Sequence, residues 1–128
     1  MQPYFFIRTE KQYVKISHSE LINIESVGNY VSITTDSGTY MAQLSIKQLE
    51  KLLPREKFCR VSRSSIVSLD RIVSFDRDCV VLKDKKQISF GDSYRKELEQ
   101  RVNIVMSDVR ERPKSLVVDT EGIRQSIN

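Results

Sequence analysis

The sequence predicts a mostly β domain of about ten short strands in elongated antiparallel or mixed sheets, with two short helices. Three observations lead to this prediction. Runs of β-branched and aromatic residues recur at short intervals, and turn residues such as Gly-Asn and Asp-Ser-Gly separate them. Only two stretches show the apolar spacing of an amphipathic helix. The 128 residues suffice for one domain with a buried core.

The first five predicted strands form an antiparallel meander. YFFIRT and YVKIS are joined by a tight turn at residues 10–12, and LINIES and YVSITT flank the reversal Val27-Gly28-Asn29. Glycine and asparagine both tolerate positive φ at such a reversal. Asp36-Ser37-Gly38 then turns the chain into TYMAQ. Most aromatic side chains of the predicted strands are expected in the core, namely Phe5, Phe6, Tyr13, Phe58 and Phe75.

The first helix is predicted in SIKQLEKLL. Ser45 is its expected N-cap, Gln48 approximates a capping box, and Pro54 ends the helix. RVSRSS is interpreted as a loop that leads into the strand IVSL.

The second half continues with short strands in RIVSF, CVVLK and QISF, and Asp84-Lys85-Lys86 is a turn before the last of them. A second helix is expected to begin at Asp92 or Ser93, with an apolar face spaced every four residues. Beyond Met106 the sequence is polar and loses its period. The domain is therefore predicted to span residues 1–106, and residues 107–128 to form a tail that is disordered or ordered by a partner.

Composition argues against several classes of protein. No stretch approaches the roughly 18 apolar residues that span a bilayer, and the N-terminus has no basic lead or cleavage site of a secretory signal. One histidine and two cysteines give no metal-ligand cluster, and the four glycines form no phosphate-binding loop. We expect a cytoplasmic protein that is not an enzyme and holds no metal or cofactor.

Three isolated groups have ordinary structural explanations. His18 lies in the polar stretch SHSE and is expected in solvent. Asp76 and Asp78 are expected as turn residues rather than an acid–base pair. Cys59, beside a cation, could sense oxidants if its thiol were activated, but the neighbouring Phe58 favours a buried, inert thiol.

Charge is distributed most unevenly between Arg55 and Arg63, a segment that contains four cations and one anion. The net charge of the whole chain is +4. Arg60 and Arg63 stand among serines, and both project outward if RVSRSS is a loop. Arginine forks fit phosphate oxygens or a guanine edge, and serine donates readily to phosphate. An exposed, weakly paired arginine couple is the alternative, and composition does not decide between them.

Three longer stretches occur in order between about residues 4 and 105, namely LINIESVGNYVSITTDSGTY, LEKLLPREKFCRVSRSSIVSLDRI and QISFGDSYRKEL. They resemble three motifs of the LytTR family of bacterial DNA-binding domains. These motifs are an I-x-x-I-E strand followed by a loop and N-Y-V-x-I, the pattern L-P-x-x-x-F-x-R-x-H-R-S-x-I-V-N, and the pattern I-P-I-G/S-x-x-Y-R-x-x-L.

The resemblance implies a mostly β fold in which loops at sheet edges, rather than a recognition helix, enter successive major grooves of double-stranded DNA. It implies phosphate contacts from some residues and base contacts from others, and a backbone N–H site for phosphate at the start of the last helix. The residues expected to face DNA are Asn29, Tyr30, Arg60, Ser62, Arg63, Ser64, Ser93, Arg95 and Lys96. Arg60, Arg95 and Lys96 are assigned to phosphates, and Arg63 with residues 28–30 to bases.

Three positions depart from the family pattern. Ser62 stands where the family usually has histidine, Ser68 replaces an asparagine after the I-V strand, and Asp92 falls at or beside a common arginine position. Asp92 is expected to cap the last helix, because an exposed acid there would repel phosphate.

Two functional hypotheses follow. The first is a sequence-specific transcriptional regulator that binds paired direct repeats, with a homodimer forming on DNA. Family members are commonly output domains behind a receiver, and this chain begins almost at the first family strand, so it is either a stand-alone regulator or a C-terminal output domain. The second hypothesis is a protein-interaction or sensory module of the same fold that has lost specific DNA recognition.

Overall fold

Ten strands and two α-helices make up the described part of the chain, residues 2–106 of a computed structural model. The predicted tail, residues 107–128, lies outside the described residues. The elements are β1 (Tyr4–Arg8), β2 (Tyr13–Ser17), β3 (Leu21–Val27), β4 (Tyr30–Thr35), β5 (Gly38–Ala42), α1 (Ile46–Leu52), β6 (Phe58–Ser62), β7 (Ser65–Ser68), β8 (Ile72–Phe75), β9 (Cys79–Leu82), β10 (Gln87–Ser89) and α2 (Asp92–Arg101). The predicted fold class is confirmed.

The strands form three antiparallel sheets. The largest has five strands in the order β5-β4-β3-β7-β6, and the others are the hairpin β1-β2 and the three-stranded β10-β9-β8. The predicted five-strand meander is only partly right: β3-β4-β5 forms a meander with turns at Gly28-Asn29 and Asp36-Ser37 as expected, whereas β1-β2 is a separate hairpin that does not pair with β3. The five-stranded sheet is the centre of the fold because both of its faces are covered.

Each face of the central sheet packs on its own core. On one face the β1-β2 hairpin and α1 bury Phe5, Ile16, Leu49 and other residues against the sheet. On the other face the three-stranded sheet buries Val80, Leu82 and Ile88 against Val61 and Val67. Fully burying one such aliphatic side chain contributes about 1.5–3 kcal/mol, so two separate cores suffice to fix the stacking of the layers.

The first helix follows its predicted signals closely. Ser45 caps α1, accepting from the Gln48 backbone N–H at 3.2 Å, and the Gln48 side chain accepts from the Ser45 N–H at 2.9 Å. The capping box, which sequence only approximates, is therefore complete. After α1, Pro54 lies before a turn that leads into β6, and Phe58 N–H donates to the Pro54 carbonyl at 3.1 Å.

Part of the predicted loop RVSRSS is a strand. Residues Phe58–Ser62 form β6, which pairs with β7, and only Arg63 and Ser64 remain as the turn between them. Phe58 and Arg60 lie two residues apart and so share a face of the sheet, the face that packs on α1. The consequence is that Arg60 does not project outward as predicted.

Burial corrects three further expectations. His18 is buried in a one-turn 3-10 helix rather than solvated, and its ring lies 6.1 Å from that of Phe5 and 5.7 Å from that of Phe58. Burial, and then Lys57, lowers the His18 pKa, so the imidazole is neutral at pH 7. Phe6 and Tyr13 are 55% and 67% exposed, because they lie on the outer face of the β1-β2 hairpin.

Candidate nucleic-acid interface

One end of the central sheet gathers the three segments that sequence assigned to DNA. The β3-β4 turn and the β6-β7 turn lie at the same end because Ser26 N–H donates to the Ser64 carbonyl at 2.9 Å. Gly91 N–H donates to the Val61 carbonyl at 2.9 Å and brings the start of α2 there as well. We call this end the turn edge and define it by residues 28–30, 62–64 and 91–93.

The first segment is a two-residue hairpin turn with glycine leading. Val27 pairs with Tyr30 across the turn. Gly28 has φ +61°, a backbone conformation that would cost any residue with a Cβ about 1–2 kcal/mol. Asn29 is exposed, and Tyr30 is 45% exposed. The turn therefore presents an amide and an aromatic ring to solvent.

The second segment is the β6-β7 turn, and Arg60 holds it from one side. The Arg60 guanidinium donates through Nε to the Ser62 carbonyl at 3.0 Å and through Nη2 to the Arg63 carbonyl. Its Nη1 pairs with Glu50 on α1 at 2.7 Å, and the side chain is only 14% exposed. Arg60 therefore links the turn to α1, and each of its three guanidinium nitrogens donates within the domain.

The tip of the same turn carries the remaining arginine. Arg63 and Ser64 are exposed, and among residues 2–106 no side chain or carbonyl pairs with the Arg63 guanidinium. The Ser62 hydroxyl accepts from the Ser64 N–H at 3.2 Å and lies 3.4 Å from the Ser64 hydroxyl. Serine at position 62 thus orders the turn internally while Arg63 stays available.

The third segment starts α2, and its charges pair with one another. Gly91 is the N-cap, so the prediction that Asp92 caps the helix is wrong. The Asp92 carboxylate instead accepts from Arg95 at 2.6 Å and lies 3.9 Å from Lys96 Nζ. Arg95 also pairs with Glu99 at 3.4 Å, and its side chain is only 15% exposed, so it does not project into solvent. Ser93 and Lys96, in contrast, are exposed.

The Asp92–Arg95 pair fixes the charge of this segment at neutral pH. The hydrogen bond from Arg95, with the charges of Arg95 and Lys96, lowers the Asp92 pKa from its usual value near 4. A lowered folded-state pKa contributes stability that is complete above the unfolded pKa and is lost as pH falls through the folded one. Asp92 is therefore ionised at pH 7 and offsets part of the positive charge of Arg95 and Lys96.

A cleft of about 520 Å³ separates the second and third segments. Its lining includes Ser62–Ser65 on one side and Gly91 and Tyr94 on the other, with Glu25 and residues 87–90 between them. A Cβ at position 91 would lie 2.8 Å from Tyr94 Cδ2, so glycine permits this close packing. Glu25 pairs with Lys86 at 2.9 Å, which reduces the negative charge within the cleft.

The remaining isolated groups behave as structural residues. Burial raises the pKa of the Cys59 thiol, which disfavours a reactive thiolate. Asp76 accepts from the backbone N–H groups of Asp78 and Cys79 at 2.8 and 2.9 Å, the turn role predicted for it. Within residues 2–106, no three His, Cys, Asp or Glu side chains gather as a metal site would require. No helix in that same range has the length and apolar composition needed to cross a bilayer.

Sequence reasoning missed the supporting residues of the turn edge. Glu50, which holds Arg60, lies ten positions earlier on α1, and Lys86, which pairs with Glu25, lies 61 positions away. The local signal for Arg60 was the two-residue spacing from Phe58, which places both on one face of a strand. No local signal exists for the Glu25–Lys86 pair, because it depends on how the three-stranded sheet docks.

Comparison with known proteins places this geometry in a family. A model of the LytTr DNA-binding domain matches residues 6–103. The sensory transduction proteins LytT of Bacillus anthracis and Bacillus cereus are each 25% identical over 100 residues, covering 74% of this chain. The chain spans 41% of the length of these relatives.

A solved structure has the same fold. It is the LytTr DNA-binding domain of a methyl-accepting/DNA response regulator from Bacillus cereus, with a TM-score of 0.70 and 18% identity. The similarity covers 79% of this chain and 97% of that one. Because the family match extends over residues 6–103, the chain belongs to the LytTR family of DNA-binding domains.

Proposed function

We propose that this domain is a sequence-specific transcriptional regulator that binds double-stranded DNA through the turn edge and has no catalytic activity. The observation that carries the proposal is Arg63, an exposed arginine without an internal partner among residues 2–106, at the tip of a turn braced by Arg60. Because Arg60 already orders the backbone of this turn, little backbone freedom remains to be lost when Arg63 binds a guanine edge.

The other exposed groups of the turn edge fit the same partner. Asn29 and Tyr30 offer an amide and a ring beside Arg63, and the hydroxyls of Ser64 and Ser93 can donate to phosphate. Lys96 adds a mobile cation, and the free backbone N–H groups at the start of α2 form a local phosphate site. Arg60, Ser62 and Arg95 support these contacts from within rather than touching DNA.

The domain acts as the DNA-binding output of a bacterial regulator in the cytoplasm. The LytT relatives are named sensory transduction proteins and are more than twice as long as the matched region, which supports an output role behind a sensing region. We propose that two copies occupy paired direct repeats, with contact between them forming on DNA.

Asp92→Asn is expected to tighten binding to all duplexes, because it removes an anion from the turn edge and releases Arg95 toward phosphate. The slope of log K against log salt concentration should steepen by about 0.9, the value for one more phosphate contact. Anisotropy titrations of a labelled duplex over a salt series measure both quantities. Asp70→Asn, which removes the same charge beyond the far end of β7, is the matched control. An equal gain in both variants would show that net charge alone is responsible.

A protein-interaction module is the second candidate. It is favoured by the exposed Phe6 and Tyr13 on the outer face of the β1-β2 hairpin and by the internal pairing of Arg60 and Arg95. Such a module would bind another protein through the hairpin and would not select DNA.

Selection from random duplexes with the purified domain separates the two candidates. The proposed function predicts an enriched motif, arranged as direct repeats, whose binding is weakened in Arg63→Ala but kept in Phe6→Ser. Absence of any enriched motif at physiological salt would reject sequence-specific binding.

A further inference from the structure

The β1-β2 turn lies beside the turn edge, although no motif assigned it to DNA. Residues Arg8–Gln12 form one wall of an open cleft of about 880 Å³, and Tyr30 with Met41–Leu44 forms the rest. The opposite end of the same hairpin is fixed far from the turn edge, because His18 packs on Phe58 at the other end of β6. The hairpin therefore spans the sheet, and its turn extends the row of exposed turns past Tyr30.

The wall of this cleft is cationic and polar. Arg8 and Lys11 are exposed, and neither forms an ion pair with any residue in the range 2–106. Glu10 is the one acid that lines the cleft, while Thr9, Gln12 and Gln43 add hydrogen-bonding groups. This differs from the third segment of the turn edge, where the cations are paired with Asp92.

The turn is also ordered. Thr9 N–H donates to the Gln12 carbonyl at 2.8 Å, and the Thr9 hydroxyl donates to the same oxygen at 3.0 Å. The Arg8 guanidinium lies 5.9 Å from the centre of the Tyr13 ring, which supports the side chain on the outer face without neutralising its charge. Both cations are therefore presented on a fixed framework.

Position relative to the β3-β4 turn indicates what these cations can reach. Arg8 and Lys11 line the same cleft as Tyr30, so both lie beside the β3-β4 turn. The major groove is about 12 Å wide and is bordered by sugar–phosphate strands, so with the β3-β4 turn in the groove the neighbouring β1-β2 turn would face one of those strands. A phosphodiester is the group that an exposed arginine and lysine there would meet.

We propose that Arg8 and Lys11 form a phosphate-binding site that extends the DNA contact beyond the three family segments. This inference rests on the proposed DNA-binding function. The site contributes to affinity for every duplex and not to base discrimination, because phosphate contacts carry no direct sequence information.

The test compares two double variants that lose the same residue types. Arg8→Ala/Lys11→Ala removes the proposed site, and Arg55→Ala/Lys57→Ala removes one arginine and one lysine near the opposite end of β6. Binding of a selected and a scrambled duplex is measured over a salt series, with thermal unfolding as a check on folding.

The first variant is expected to flatten the slope of log K against log salt by about 1.8, two phosphate contacts at 0.9 each, and to weaken both duplexes by the same factor. Hydroxyl-radical footprinting should show protection lost at one outer border of the site only. The control variant should keep the parent slope and footprint.

If the parent binds DNA but the two variants share its slope and footprint, the phosphate site is wrong while the proposed function stands. A larger loss on the selected duplex than on the scrambled one would also overturn it, because that pattern indicates base contact. If the parent binds neither duplex, the proposed function and this inference fail together.

Discussion

Arg63→Ala is expected to weaken binding to the selected duplex by about 1–3 kcal/mol, roughly fivefold to 150-fold, and to relax discrimination at one base pair. The physical reason is that Arg63 is the exposed arginine at the tip of the β6-β7 turn without an internal partner among residues 2–106, and its fork can donate to the two acceptors of a guanine edge. Equilibrium titrations against the selected duplex and its single-base variants measure the affinity and the discrimination together.

Arg55→Ala is the matched control for charge. Arg55 is 75% exposed and pairs weakly with Glu97 at 3.4 Å, so its loss removes one cation at little cost in stability. The control should retain discrimination at every base. If Arg63→Ala discriminated bases as well as the parent does, Arg63 would not be the residue that contacts the base.

Arg60→Ala is expected to impair specific binding without removing a phosphate contact. The substitution leaves Glu50 and the carbonyls of Ser62 and Arg63 without their donor, which should lower the free energy of unfolding by about 2 kcal/mol. The turn then no longer holds Arg63 in one orientation, so affinity for the selected duplex should fall at least tenfold. The salt slope should stay within error of the parent, because the guanidinium is occupied inside the domain.

Two further variants separate bracing from direct contact. Arg60→Lys keeps the charge but cannot donate to three acceptors with a planar fork, so it should behave like Arg60→Ala. Glu50→Gln keeps both carbonyl bonds and should lose much less specific affinity. A salt slope flattened by about 0.9 in Arg60→Ala, with unchanged stability and full rescue by lysine, would show that Arg60 binds phosphate after all.

Local chemistry predicted most of the secondary structure. Ser45, Pro54 and the turn at Gly28-Asn29 carry their signals in adjacent residues, so the elements around them follow the expected bounds. β6 was missed because its arginine and serine residues made the stretch before IVSL look like a loop. The alternation of Phe58 and Val61 across the two faces of the sheet already marked it as a strand.

The composition of the candidate site was easier to predict than the orientation of its side chains. The residues of all three segments meet at the turn edge, yet Arg60 and Arg95 point into internal partners while Arg63 points out. That choice depends on Glu50 from α1 and Asp92 from α2, whose positions follow from tertiary packing. The same reason explains His18, which is buried only because the β1-β2 hairpin and Phe58 close over it.

The central claim is that DNA binds at the turn edge. Amide correlation spectra of the labelled domain, recorded during titration with the selected duplex, test it most directly. The largest shift changes should fall at residues 28–30, 62–64 and 91–93, with little change at Leu69–Arg71 beyond the far end of β7. If the largest changes fell at Leu69–Arg71 or at residues 55–57 while the turn edge stayed unperturbed, the claim would be contradicted.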